Sequence, residues 1–217
     1  MFFATGFAAM AQDMPSAIGR ITYGETPAMG AAICSGALVA SDLVLTAAHC
    51  VRGSADTPAT LRFEAAWATA TPTGQRRGQQ VILTSPIPVS GLAGLTDDVA
   101  LIVLDSPFSS QEATPLSLAS PVKRQADRVF TLYAFRRDNP SQPTPPHTCI
   151  ESATLPGLLG LDCPVVSGNS GAPLLQRQGE KWQVVAVMVA ASPSGPIRSW
   201  AVQPSVLLQQ RIAGAPE

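Results

Sequence analysis

Charge is scarce in this chain: Asp, Glu, Lys and Arg make up 13% of its 217 residues. The two signs nearly cancel, 14 Lys and Arg against 15 Asp and Glu, leaving a formal net charge of −1. A nucleic-acid binder needs a basic stripe or a phosphate-cradling glycine loop, and neither stands out, so nucleic acid is not an expected partner. The pairs Arg76-Arg77, Lys123-Arg124 and Arg136-Arg137 are isolated and read as solvated loop charge. No run approaches 18 uninterrupted apolar residues, which argues against a membrane-spanning helix. None of the 4 cysteines stands in a CxxC pair of the kind zinc sites use, so no metal is expected. Low charge does not mean disorder here, because 46% of the residues are hydrophobic, ample for a core.

Freed from a metal role, Cys34, Cys50, Cys149 and Cys163 read as a disulfide framework made in an oxidising compartment. Four cysteines allow three pairings. The sequence-local one, Cys34 with Cys50 and Cys149 with Cys163, is expected. An apolar stretch from Phe2 to Met10 ends in Ala9-Met10-Ala11, a small-x-small site that a signal peptidase could cut before Gln12. Residues 1–11 are thus read as a signal-peptide remnant and the protein as secreted or periplasmic.

Apolar, β-branched runs recur between turn signals: Ile33 to Val39, Val44 to Ala47, Leu61 to Ala65, Val81 to Thr84, Val99 to Leu104, Val129 to Ala134 and Val184 to Val189. This is an all-β signature. The 20 prolines interrupt any long helix and mark loops. One helix is expected, Pro204 to Ile212, with Leu207, Leu208 and Ile212 on its apolar face. The stretch Pro115 to Pro121 reads as a join between two halves. Trp67, Trp182 and Trp200 read as core-packing residues, and His147, in a Pro-rich stretch, as loop surface.

Three patterns carry chemistry together. In Leu45-Thr46-Ala47-Ala48-His49-Cys50 a hydrophobic strand ends on a histidine whose neighbouring cysteine can pin the turn. In Asp97-Asp98-Val99-Ala100-Leu101 a carboxylate stands at the mouth of a buried strand, with Asp98 favoured because it directly precedes Val-Ala-Leu. In Ser167-Gly168-Asn169-Ser170-Gly171-Ala172-Pro173 glycines bracket a serine. A serine hydroxyl is a poor nucleophile until an imidazole takes its proton, and the imidazole needs a carboxylate to fix its tautomer. Gly168 lets the backbone turn so that its N–H and that of Ser170 can point at one oxyanion.

These motifs, in the order His, Asp, Ser, resemble those of the trypsin-like (chymotrypsin-fold) serine peptidases of the secreted bacterial kind. Cys34-Ser35-Gly36 resembles the family's first disulfide, and Gly168-Asn169-Ser170-Gly171-Ala172-Pro173-Leu174 its serine motif. The resemblance implies two six-stranded antiparallel β-barrels with a C-terminal helix. Residues 12–116 would form the barrel carrying His49 and Asp98, and 117–217 the barrel carrying Ser170. It further implies an exported serine endopeptidase acting through an acyl-enzyme: His49 as general base and then acid, Asp98 as its orienter, Ser170 as nucleophile. Gly168 and Ser170 would form the oxyanion hole. Protein or peptide is the implied partner, the chain a monomer, and no cofactor or metal is implied. A catalytically silent homologue acting as a binding or regulatory module is the alternative.

Two departures from the family pattern have consequences. Before the nucleophile stands Asn169 where zymogen-activated members carry Asp, and a neutral Asn cannot pair with a new amino terminus at Ile21, so activation of that kind is not expected. At the position of the trypsin-type specificity Asp stands Pro164, beside Val165, which disfavours cleavage after Lys or Arg. With Val187, Met188 and Val189 on the pocket strand, a small or medium apolar residue is expected before the scissile bond.

Overall fold

The computed structural model describes residues 14–24, 33–65, 67, 72, 74–85, 91–119, 129–192 and 194–214. The signal-peptide remnant expected at 1–11 and the Lys123-Arg124 pair lie outside them. Six strands of the first half are β1 (Ile18–Tyr23), β2 (Cys34–Ala40), β3 (Leu43–Thr46), β4 (Leu61–Ala65), β5 (Gly74–Leu83) and β6 (Ala100–Leu104). They close into a barrel in the order β1-β2-β3-β6-β5-β4. The apolar run of β3 is buried along its whole length, and Ile18, Ile21, Leu38, Leu45, Phe63 and Leu101 fill the interior.

The second half contributes β7 (Ser117–Leu118), β8 (Val129–Leu132), β9 (Phe135–Arg136), β10 (Asn139–Pro143), β11 (His147–Leu155), β12 (Leu158–Leu161), β13 (Pro173–Gln178), β14 (Lys181–Ala191) and β15 (Ser199–Val202). Strands β13-β8-β11-β12-β15-β14 run in that order, and a β13–β14 pairing closes the ring. The fold is therefore two closed six-stranded antiparallel barrels. Strand β7 lies parallel on β14 outside the second ring, and β9 with β10 forms a separate ribbon. The bridges are Cys34–Cys50 and Cys149–Cys163, the sequence-local pairing. Short helices α1 (Ala48–Val51) and α2 (Gly91–Leu95) decorate the first barrel, and α3 (Val206–Ala213), followed by Gly214, is the last described element.

Several local expectations need correction. Arg76 and Arg77 are not loop residues but lie on β5. Arg76 stacks 4.4 Å over Phe108 and pairs with Glu112, whose carboxyl is held down to about 2 by the Ser109 N–H, the Arg76 guanidinium and the Ser109 hydroxyl. His147 opens β11 instead of lying in a loop. In α3, Ser205 caps the start by accepting from Leu208 N–H. Leu207 points outward at 78% exposure while Leu208 is buried, because adjacent helical residues stand about 100° apart and only Leu208 and Ile212 share a face.

Candidate active site

His49 and Asp98 meet because β3 and β6 are antiparallel neighbours. The register Thr46↔Ala100 places the end of one strand beside the start of the other. Past Thr46 the chain turns into α1, which buries Ala48 and Cys50 and leaves His49 exposed. The Cys34–Cys50 bridge ties that turn to β2, and the Tyr23 hydroxyl donates to Cys50 O at 2.5 Å.

The Asp98 carboxylate makes two bonds to one residue. Its Oδ1 accepts from His49 N–H at 2.7 Å, and its Oδ2 lies 2.6 Å from His49 Nδ1. An ionised carboxylate only accepts, so Nδ1 carries the proton and Nε2 is left as the ring's proton acceptor. The Asp98 side chain is 15% exposed against 46% for His49. Asp97, the competing residue, accepts from the Thr84 hydroxyl at its carbonyl at 2.6 Å and donates its N–H to Gly94 O at 3.3 Å.

The serine loop is wedged against the first barrel. Ser170 O accepts from Ser35 N–H at 2.8 Å. Gly171 sits at φ +80, so close to β2 and β3 that a Cβ would lie 2.1 Å from Thr46 Oγ1 and 2.2 Å from Ser35 O. Because Thr46 is three residues before His49, this contact brings the serine and histidine segments together. Gly168 also has positive φ, +102, and a Cβ there would strike Arg137 N and Phe135 O. Only glycine fits such positions. Among the described residues neither Gly168 N–H nor Ser170 N–H has an acceptor, and Ser170 Oγ makes no hydrogen bond to His49.

Asn169 is buried and fully engaged: Oδ1 accepts from Val166 N–H at 2.9 Å and Nδ2 donates to Phe135 O at 2.8 Å. Ile21 lies inside β1, buried, and paired to both β2 and β4. The Asn169 side chain is thus held within the second half of the chain, away from Ile21.

Beside Ser170 opens a cavity of about 460 Å³ lined by Val165, Val166, Ser167, Met188, Val189, Ala190 and Ala191, with no charged side chain among them. Of the five pocket residues expected from sequence, Val165, Met188 and Val189 face it. Pro164 and Val187 do not: Val187 is buried in register between Pro173 and Val202. The missed wall residues Ala190 and Ala191 follow a register shift between Met188 and Ala190, which residue order alone does not reveal. Val166 and Ser167 precede Gly168 directly, and that adjacency was a usable signal. Cys34, His49 and Cys50 bring ligand-type atoms within 4.8 Å of one another, but both sulfurs are committed to a disulfide and supply no thiolate.

Residues 34–187 match the family profile described as a trypsin-like peptidase domain. No curated protein matches the chain. Among solved structures, that of the scabies mite inactivated protease paralogue S-D1 superposes with a TM-score of 0.70 at 13% identity, over 93% of this chain and 95% of that one. At that identity the likeness speaks for the fold.

Proposed function

The chain belongs to the trypsin-like peptidase family, and from that premise we propose that it is a serine endopeptidase acting through His49, Asp98 and Ser170. The observation that carries this reading is the Asp98 carboxylate bonded to both the backbone and the ring of His49, beside a serine loop whose Gly168 and Ser170 N–H groups have no acceptor among the described residues. In the proposed reaction, Ser170 Oγ attacks the scissile carbonyl carbon while His49 Nε2 takes its proton. The oxyanion is received by the Gly168 and Ser170 N–H groups. His49 then gives the proton to the departing amine, leaving an acyl-enzyme that water hydrolyses by the same proton transfers.

The uncharged cavity wall supports a small or medium apolar side chain before the cleaved bond, since a buried cation there would have no partner. Among the described residues no strand pairs with β14 from Val189 to Ala191 on the side away from β15, an open edge on which an extended peptide can add as a strand. Export is supported by the two disulfides, which persist in oxidising compartments. Among the described residues, no helix is long and apolar enough to cross a membrane.

A silent homologue is the second reading, favoured by the missing Ser170–His49 hydrogen bond. That bond is often long in unliganded hydrolases and tightens with substrate. A fluorophosphonate probe separates the two readings. Stoichiometric labelling located at Ser170 by mass spectrometry, and lost in Ser170→Ala, is the expected result. A folded, disulfide-intact protein that does not label would overturn the peptidase reading in favour of the silent one.

A further inference from the structure

Ser35, on β2, is fully buried and has no part in the triad. Its hydroxyl donates to Gly168 O at 2.8 Å and accepts from Phe135 N–H at 2.9 Å. Its own N–H donates to Ser170 O at 2.8 Å. One residue of the first barrel therefore grips the carbonyls on both sides of Asn169. The circuit closes through Asn169 Nδ2, which donates to the carbonyl of the same Phe135.

The peptide unit joining Gly168 to Asn169 lies between the two N–H groups offered to an oxyanion. Its carbonyl is held by Ser35 Oγ and its N–H by Val166 O at 3.0 Å. A peptide plane is rigid. With both ends held it does not flip, and the N–H groups flanking it keep a common aim. Asn169 is neutral and its side chain is taken up by Val166 and Phe135, so no buried charge pair performs this service.

We propose that Ser35 is a positioning residue for the oxyanion site, its hydroxyl setting the Gly168–Asn169 peptide so that the Gly168 and Ser170 N–H groups converge. The inference rests on the peptidase reading above. Oxyanion donors are effective only when aimed at the place the charge develops, and deleting one outright lowers kcat about 10²- to 10³-fold. Loosening their aim through Ser35 lowers kcat by a smaller factor, about 10- to 100-fold. Ground-state binding along β14 and in the apolar cavity does not use Ser35, so KM stays nearly constant.

The test compares wild type, Ser35→Ala, Ser35→Thr and Ser170→Ala as the disulfide-intact chain. Phosphonylation rates are read with a fluorophosphonate, and kcat and KM with an alanyl p-nitroanilide peptide, below each variant's own thermal midpoint. Hydrogen exchange over residues 165–172, set against β3 and β6, separates a loosened loop from general instability. Ser35→Ala is expected to label at least ten-fold more slowly, lose kcat rather than KM, and exchange faster in that loop alone. Ser35→Thr, which keeps the hydroxyl, recovers most of the rate. Labelling of Ser35→Ala at the wild-type rate, or a change confined to KM, overturns the Ser35 proposal and leaves the peptidase reading standing. Failure of wild type itself to label at Ser170 overturns both.

Discussion

The Asp98 carboxylate binds the His49 ring with one oxygen and the His49 backbone with the other, so its proposed orienting role and its structural role can be separated by one substitution. Asn keeps an oxygen for the backbone N–H, yet its amide cannot hold the ring in the tautomer that leaves Nε2 free. Asp98→Asn is expected to fold normally and lose about 10⁴-fold in kcat, the size of loss that this exchange causes in a comparable triad. Steady-state kinetics beside a thermal melt checks it; a matching collapse of stability would show the backbone bond to be the main role. Tyr23 offers a test of linkage. Burial pushes its hydroxyl up to about 12, while the unfolded chain ionises near pH 10. Between those values the folded state retains a proton that the unfolded state has lost, so stability is complete below about pH 10 and declines as pH rises through 12. The urea midpoint of wild type should drop more from pH 9 to pH 11 than that of Tyr23→Phe. Parallel declines would place the titrating group elsewhere.

At the scale of elements, helix α3 depends on its first turn, where Ser205 accepts from Leu208 N–H. Ser205→Ala should lower the free energy of unfolding by about 1 kcal/mol and leave phosphonylation of Ser170 untouched, both measurable on one preparation by urea titration and probe labelling. That helix was legible because Pro204 and the leucines mark it locally. Strands β3 and β6 were legible for the same kind of reason, each an almost wholly apolar run buried almost throughout; β2 and β4 are also buried along nearly their whole length, but Ser35 stands in the one and Arg62 and Glu64 in the other. Strand β1 was not legible. Its Gly19 and Arg20 break the apolar pattern, and both are explained only by a neighbour far along the chain, where a Cβ on Gly19 would lie 2.4 Å from Glu64 O and Arg20 pairs with the Glu64 carboxylate. The first half of β5 is polar because one face meets solvent, and β10 carries Pro140 and Pro143, residues that argue against a ladder unless the strand lies at an edge. At the candidate site the three motifs were readable because each is contiguous. Ser35 was silent in the sequence, since its partners Phe135 and Gly168 are 100 and 133 residues away.

For the molecule as a whole, the seam between the barrels decides whether the candidate site exists. Arg20 of the first barrel lies buried against Glu64, 5.0 Å from the Trp67 ring centre, and donates to Pro140 O of the second half. Trp67 packs on Phe135 with ring centres 4.9 Å apart. Nearest the candidate chemistry, the seam narrows to Gly171 against Ser35 and Thr46. Two alanine substitutions isolate what that closeness is worth. Gly171 and Gly179 both have positive φ, +80 and +63, but a Cβ on Gly179 would meet nothing within 4 Å. Gly179→Ala therefore bears only the backbone penalty, about 1 kcal/mol. Gly171→Ala adds a clash with Ser35 O, a strand carbonyl that cannot rotate away, and should lose about 3 kcal/mol or more. Chemical denaturation of the two variants gives the difference, and probe labelling gives its consequence. Gly179→Ala should label at Ser170 like wild type, while any folded Gly171→Ala should not, because the only way to admit the methyl is to part the serine loop from the strands that lead to His49. Equal stability and equal labelling in the two variants would mean that the barrels slide freely at this seam, and a rigidly assembled triad would then be untenable.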